Sequence, residues 1–186
     1  MLKVFHEHTL DTALLRPHCK VLDVGCRGFA FGDALRQEFQ ANVYEVDIDD
    51  LGPDRSYYRC GIAQADGSGD VSSDQEPEAR NLVGGSRFKV YTLDSFSRFV
   101  GVEHWDVLKL DCEGSEYGIL WNLERPIATQ ISVEFHQHTE ARRSQEFMYD
   151  LVLRLERWYA VRKHKFYGRG ANSLNYWDSL FVLKSI

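Results

Sequence analysis

The stretch Val21-Leu-Asp-Val-Gly-Cys-Arg-Gly28 decides how this chain is read. Val21, Leu22 and Val24 have the pattern of a short buried strand, and Asp23 puts a carboxylate near its end. Gly25 and Gly28 follow, then Gly32 and a helical pattern. Glycines let backbone approach a ligand with no Cβ in the way, and a following helix offers unpaired N–H groups. Open α/β sheets bind their ligands at such carboxyl ends of strands. A plain strand–turn–helix junction accounts for the same glycines, so the motif needs support from elsewhere in the chain.

Glycines at 25, 28 and 32 do not give the G-x-G-x-x-G spacing of a dinucleotide site. The arrangement suits a cofactor with no pyrophosphate to hold, of which S-adenosylmethionine is the commonest.

The bulk properties narrow the class. A chain of 186 residues with 44% hydrophobic content is expected to form one domain over 1–186 with a substantial core. A net charge of −6 argues against a broad nucleic-acid footprint. Arg154, Arg157, Arg162, Lys163 and Lys165 do cluster late in the chain, and a solvated surface is the plainer reading of them. Cys19, Cys26, Cys60 and Cys112 form no C-x-x-C pair, which points to reduced thiols and a cytoplasmic location. The N-terminus lacks the apolar core of a signal peptide, and no stretch is long enough to span a membrane.

Outward from the central strand, Thr9 to Arg16 is expected to form a short helix ended by Pro17. Phe31, Leu35 and Phe39 mark an amphipathic helix. Ala41 to Asp47 reads as a second strand running into Asp47, Asp49 and Asp50; a carboxylate there can accept both hydroxyls of a ribose, and Asp47 is the candidate. Tyr57 to Ala63 is a third strand. Residues 64–89 read as a mobile loop or lid, with room for a small hairpin around Asp66-Gly67. After Val90 to Asp94 and a helical turn over Ser95 to Phe99 comes Trp105-Asp-Val-Leu-Lys-Leu-Asp-Cys-Glu-Gly-Ser-Glu116. Strand alternation places Lys109 and Asp111 on one face, as neighbours. Gly114 turns the chain into a helix bearing Ile119, Leu120 and Leu123. Ile131 to His138 is a fifth strand, and a helix with Met148, Leu151, Val152, Leu155 and Trp158 on one face follows. Strands at Tyr159–Phe166 and Ser179–Lys184 flank an aromatic, glycine-rich loop, Tyr167 to Trp177. Strands alternating with helices define an α/β, doubly wound, mostly parallel sheet with an antiparallel last strand.

Leu22-Asp-Val-Gly25, Tyr44-Glu-Val-Asp47 and above all Asp106-Val-Leu-Lys-Leu-Asp-Cys-Glu-Gly-Ser-Glu116 carry a family likeness. With Thr92-Leu-Asp94 and Val133-Glu-Phe-His136 in the expected order, the chain from Val21 to His138 resembles the FkbM-type S-adenosylmethionine-dependent methyltransferases. The resemblance implies the Rossmann-like class I methyltransferase sheet of seven strands and O-methylation of a sugar or other small-molecule hydroxyl. It implies a cofactor site of Asp23, Gly25, Cys26, Gly28, Asp47, Ile48 and Asp111, with Asp47 on the ribose. Cys26-Arg27 replaces the family's usual Ala-Asn, and Asp47-Ile48 its Glu-Pro. The chain is compact for the family, with little N-terminal cap.

Transfer of a methyl group to an alcohol requires alignment and removal of a proton. The catalytic candidates at adjacent strand ends are Asp111, His136, Lys109 and Glu134, with Glu113 and His138 nearby. His136 is the expected base, because an ordinary imidazole, with a pKa of about 6.5, is mostly neutral at physiological pH. Asp111 either orients it or pairs with Lys109. Asp111, Glu134, His136 and His138 also form a possible site for a divalent metal such as magnesium. Glu113 and Glu116 have the plainer reading of first-turn acids that favour a helix dipole, and Cys26 and Cys112 that of packing residues. The expected partner is a small, sugar-like acceptor. The rival readings are a methyltransferase of RNA or protein, and a non-catalytic cofactor-binding or scaffold subunit.

Overall fold

The computed structural model describes residues 1–53, 55–69, 88–136, 141–167 and 176–184, with 141–145 as backbone only. Its strands are β1 (Leu2–Phe5), β2 (His8–Asp11), β3 (Lys20–Val24), β4 (Asn42–Asp47), β5 (Tyr58–Ile62), β6 (Gly67–Gly69), β7 (Phe88–Tyr91), β8 (Trp105–Leu110), β9 (Ala128–His136), β10 (Tyr159–Tyr167) and β11 (Tyr176–Leu183). The helices are α1 (Ala30–Phe39), α2 (Leu93–Val100), α3 (Glu116–Trp121) and α4 (Ala141–Leu155).

Among the described residues one sheet runs β10-β11-β9-β8-β3-β4-β5-β7-β6. Strands β9, β8, β3, β4, β5 and β7 are parallel neighbours, whereas β11 is antiparallel to both β9 and β10. The fold is thus the expected mostly parallel α/β sheet, with the last strand of the chain antiparallel. Beyond the seven strands from β10 to β5, the sheet is extended at one edge by β7 and β6. Chain direction reverses its order at β3, with β4 on one side and β8 on the other; ligands bind at such a switch point.

Central strands are buried on both faces, so they read as near-continuous apolar runs. Leu22, Val24, Leu108, Leu110, Ile131 and Val133 point to one face, where they pack with Phe96, Ile119, Leu120, Leu151 and Leu155 of the helices. On the other face Val21 and Val107 pack with Phe31 and Leu35 of α1 and with Phe5 and Leu10 of an N-terminal hairpin. Gly32 makes this seating possible, since a Cβ there would lie 2.5 Å from a carboxylate oxygen of Glu45 and 3.2 Å from Val43.

That hairpin corrects the sequence reading. Thr9 to Arg16 is not a helix: His8–Asp11 is strand β2, paired with β1 from Leu2↔Asp11 to Phe5↔His8, and only Thr12–Leu14 turns as a 3-10 helix. His6 and Glu7 form the two-residue loop with positive φ (40° and 72°). Such loops normally carry Asn or Gly, so His-Glu gave no turn signal. Strand β2 of the hairpin lies against β9 and β11. The hairpin expected around Asp66-Gly67 does not turn there: Gly67–Gly69 is strand β6, paired antiparallel with β7 from Gly67↔Val90 to Gly69↔Phe88; the rest of the expected loop, 70–87, lies outside the described residues, as do 168–175 of the aromatic loop.

Tyr159 anchors β10 to the start of β9. Its fully buried hydroxyl donates to the Ala128 carbonyl oxygen (3.1 Å) and accepts from the Ile127 N–H (3.2 Å). Tyr159→Phe leaves these backbone groups unpaired and should lower unfolding free energy by about 1–3 kcal/mol, read from urea melts.

Candidate active site

The site begins with an ion. Lys109 stands on β8 directly across from Asp23 on β3, and both side chains are buried. The Lys109 Nζ lies 3.1 Å from Asp23, 3.5 Å from Asp111, and donates to the Gly25 carbonyl oxygen at 2.6 Å. Burial opposes its charge, but Asp23 and Asp111 more than offset this and hold the ammonium protonated. The neighbourhood of Lys109 and Asp111 is as expected; the closer partnership with Asp23 is new.

Around this ion the ends of three strands converge. The Gly25 N–H donates to Val46 (2.9 Å) and the Asp111 N–H to Val24 (3.2 Å), so Gly25 sits between β4 and β8. Gly25 has φ +78°, and a Cβ there would lie 1.8 Å from the Asp111 carbonyl oxygen. Only glycine fits. Gly28 has φ +80° with open space about it.

Asp47, at the end of β4, is nearly buried and accepts the Asp49 N–H at 2.9 Å. Burial pushes its carboxyl pKa up, because no cation lies close enough to cancel the desolvation. Ile48 is half-buried beside it, against Gly61. A carboxylate in this state fits ribose hydroxyls, and the glycine turn beside it fits a ligand lying across the strand ends. Two of the predicted cofactor residues stand further back. Asp23 has its carboxylate beneath Lys109, and Cys26 is buried with its thiol pKa raised, first by burial and then by Asp23 and Asp47. Both shape the turn from below.

Past Gly25, Asp111 faces two histidines. Its Oδ2 lies 3.5 Å from His8 Nε2, and its Oδ1 3.8 Å from His136 Nε2. Burial opposes ionisation of Asp111, but His8, Lys109 and His136 prevail and hold its pKa well below the usual carboxylate range.

His136 Nε2 also faces Glu134 (3.4 Å) and Glu113 (3.6 Å), while Nδ1 lies 3.3 Å from Glu116. Burial alone would neutralise this ring. Glu116, Glu134 and Glu113 reverse the balance and raise its pKa to about 11. His136 is therefore an imidazolium at neutral pH, not the neutral base expected from an unperturbed ring.

Two triads of this cluster, His8–Asp111–Glu134 and Asp111–Glu113–His136, bring their ligand atoms within 4.8 Å of one another. His138, the fourth predicted metal ligand, lies outside the described residues.

A model of the methyltransferase FkbM domain matches residues 19–164. The chain belongs to that family. Its chemistry is methyl transfer with S-adenosylmethionine as donor. No curated protein matches it. Among solved structures the FkbM chain is similar to M. capricolum TrmK in complex with S-adenosyl-homocysteine, at 13% identity and TM-score 0.47, covering 94% of this chain and 69% of that one. It is also similar to a putative sarcosine dimethylglycine methyltransferase from Galdieria sulphuraria, at 10% identity and TM-score 0.45 over 92% of this chain and 80% of that one. The E. cuniculi Mtq2–Trm112 complex follows at 14% identity and TM-score 0.43, over 90% and 87%. Likeness this weak speaks to neither acceptor nor mechanism.

Sequence reasoning missed two contributors to this cluster, one of them ahead of the matched FkbM residues. His8 arrives on the hairpin, its Nδ1 3.3 Å from Ser132 Oγ, with no signal in its local sequence. Glu116 was legible only as a first-turn acid. It is wholly buried and accepts the N–H groups of Cys112 (2.7 Å) and Gly114 (2.8 Å) while holding His136 from behind. Its place two residues after the glycine turn was the available clue.

Lys109→Met should cost about 3–5 kcal/mol of unfolding free energy, because Asp23 would be left charged and buried. The raised His136 pKa has its own signature. Its contribution to stability is fully present below about pH 6.5, where folded and unfolded chains both bind the proton, and is lost as pH climbs toward about 11. The urea midpoint advantage of wild type over His136→Gln should therefore shrink steadily between about pH 7 and pH 10.

Proposed function

We propose that this methyltransferase acts on a hydroxyl of a sugar or similar small molecule, with residues 1–186 working as one domain. The observation that carries the reading is the Cβ-free turn at Gly25, set between the buried Asp47 carboxylate, which bonds only to the backbone among the hydrogen bonds described, and the ionised Asp111. Bound in this cradle, S-adenosylmethionine supplies a methyl group on a positively charged sulfur. Asp47 accepts hydrogen bonds from the ribose hydroxyls, and Gly25 gives the backbone approach that a larger residue would block.

Asp111 takes the hydrogen bond of the acceptor hydroxyl and then its proton. Its low pKa makes it a weak base toward an alcohol at rest. The oxygen grows strongly acidic as its bond to carbon forms, so a late proton transfer to a carboxylate suffices. Lys109 and His8 hold one oxygen of Asp111 and His136 faces the other, which fixes its orientation. Glu134 keeps the His136 charge in place. On the acceptor side Tyr176 is the register partner of His136, and its ring stacks on Tyr167 at 5.2 Å. Aromatic faces of this kind suit the C–H face of a sugar ring.

The fate of the basic cluster supports a small acceptor over RNA. Arg157 donates to the Leu123 carbonyl and stacks on Trp158, Arg154 lies over Trp121, and Lys163 is bound to Thr9 and Asp178. These three cations are engaged by neighbouring groups of the fold, while Arg157, Arg162 and Lys165 keep exposed surface. A scaffold subunit would not need an ionised carboxylate held between two histidines. Among the described residues no helix is long and apolar enough to cross a membrane.

Calorimetric titration with S-adenosylhomocysteine tests the cradle. Wild type should bind with micromolar affinity, and Asp47→Ala should weaken binding by about 10- to 100-fold, as loss of charge-assisted hydrogen bonds requires. A folded wild type that does not bind would overturn the reading.

A further inference from the structure

Two segments of chain frame the cradle. One is the glycine turn that runs from Gly25 into α1, and the other is the loop from Ile48 to Tyr57, which leaves β4 just after Asp47. The loop is braced from within. The Tyr57 hydroxyl donates to the Asp49 carbonyl oxygen and accepts the Leu51 N–H, both at 2.9 Å, and Asp47 itself accepts the Asp49 N–H. A displacement of the loop is therefore passed back to Asp47. The turn is strained where it enters the helix: Phe29 has φ 59°, in the left-handed region that a bulky side chain seldom adopts.

Arg55 joins the two. Its guanidinium fork donates to both carboxylate oxygens of Asp33 in the first turn of α1, to Oδ2 at 2.8 Å. The same guanidinium lies 4.5 Å from the centre of the Phe29 ring, which Tyr57 meets edge-on at 6.1 Å. One loop side chain thus grips both the strained residue and the helix that follows it. The fold does not depend on this grip. Glu45, wholly buried beneath α1, takes its direct bond from Arg36 at 2.7 Å, and Arg55 stands 3.5 Å from the same oxygen. Asp33 is half exposed. Loss of Arg55 therefore leaves neither acid as a buried, uncompensated charge, and a pair this open to water adds little to unfolding free energy. What it fixes is the spacing of loop and turn.

We propose that Arg55 is a positioning residue for the cofactor: through Asp33 and Phe29 it holds the loop after β4 against the glycine turn, at the spacing that lets Asp47 and the turn engage one S-adenosyl ligand. Such pre-organisation raises affinity with no contact to the ligand, because the two sides of the site need not be ordered at the moment of binding. The inference rests on the cofactor cradle of the proposed function and assigns a role to a residue outside it.

The probe is S-adenosylhomocysteine, titrated calorimetrically into the full chain, with urea melts run on the same samples. Arg55→Met and Asp33→Asn should each weaken binding about 5- to 50-fold, while their urea midpoints stay close to that of wild type. Because each residue acts through the other, the double variant should bind no more weakly than the weaker single variant. Arg55→Lys keeps a cation at Asp33 without the fork, and should recover part of the affinity lost in Arg55→Met. Unchanged affinity in either single variant would overturn the proposal, as would losses that add in the double variant or no recovery in Arg55→Lys. A fall in the Arg55→Met urea midpoint large enough to account for the lost binding would assign Arg55 to stability instead, and overturn it too. Wild type separates the failures. Binding by wild type with both single variants unchanged removes the Arg55 role alone, whereas a folded wild type that does not bind removes the cradle and this role with it.

Discussion

The buried ammonium of Lys109 is the constraint on which the rest of the site depends. A lone charge inside a sheet is costly, and it is tolerated here because Asp23 lies across the β3–β8 pairing and Asp111 two residues further on. The arrangement also specifies register. A slip of one residue would turn Lys109 onto the apolar face occupied by Leu108 and Leu110, away from Asp23 and Asp111. By donating to the Gly25 carbonyl, the same ammonium positions the glycine turn between β4 and β8.

The polar groups continue across this face of the sheet. Asp111 joins Lys109 to His8 and His136, Ser132 meets His8, Gln130 donates to the Asp11 carbonyl, and Lys163 links Asp178 to Thr9. Above them lies the N-terminal hairpin. A sheet face this polar cannot be sealed by an apolar helix without stranding its hydrogen-bonding groups. Strand β2 offers His8, Thr9 and Asp11 alongside the core residue Leu10, and so satisfies both. The opposite face is apolar and carries α2, α3 and α4. Chemistry and packing are thus divided between the two faces of one sheet.

The fold was largely legible because its strands and helices follow hydrophobic periodicity. The run from Val21 to Val24, the stripe Phe31–Leu35–Phe39 and the run from Val107 to Leu110 needed no tertiary information. Asp47, Gly25 and Asp111 were legible as strand-end residues for the same reason. The helix expected at Thr9 to Arg16 was wrong because Leu10 and Leu15 imitate part of a helical stripe, while the His6-Glu7 turn lacks the residues that normally announce a hairpin. Asp23 and Cys26 were read as cofactor residues; their side chains are buried, Asp23 against Lys109.

By itself the sequence determined the α/β class, the order of the elements, the glycine turn and the acids at the strand ends, because each rests on contacts local along the chain. The tertiary structure alone decided which charges meet. His8 reaches Asp111 across more than a hundred residues, and Glu116, a turn acid by its sequence, lies behind His136. The protonation of His136 depends on four carboxylates delivered by the end of β8, the turn after it, α3 and β9. Electrostatic fields are sums over neighbours in space, and a linear pattern does not contain them.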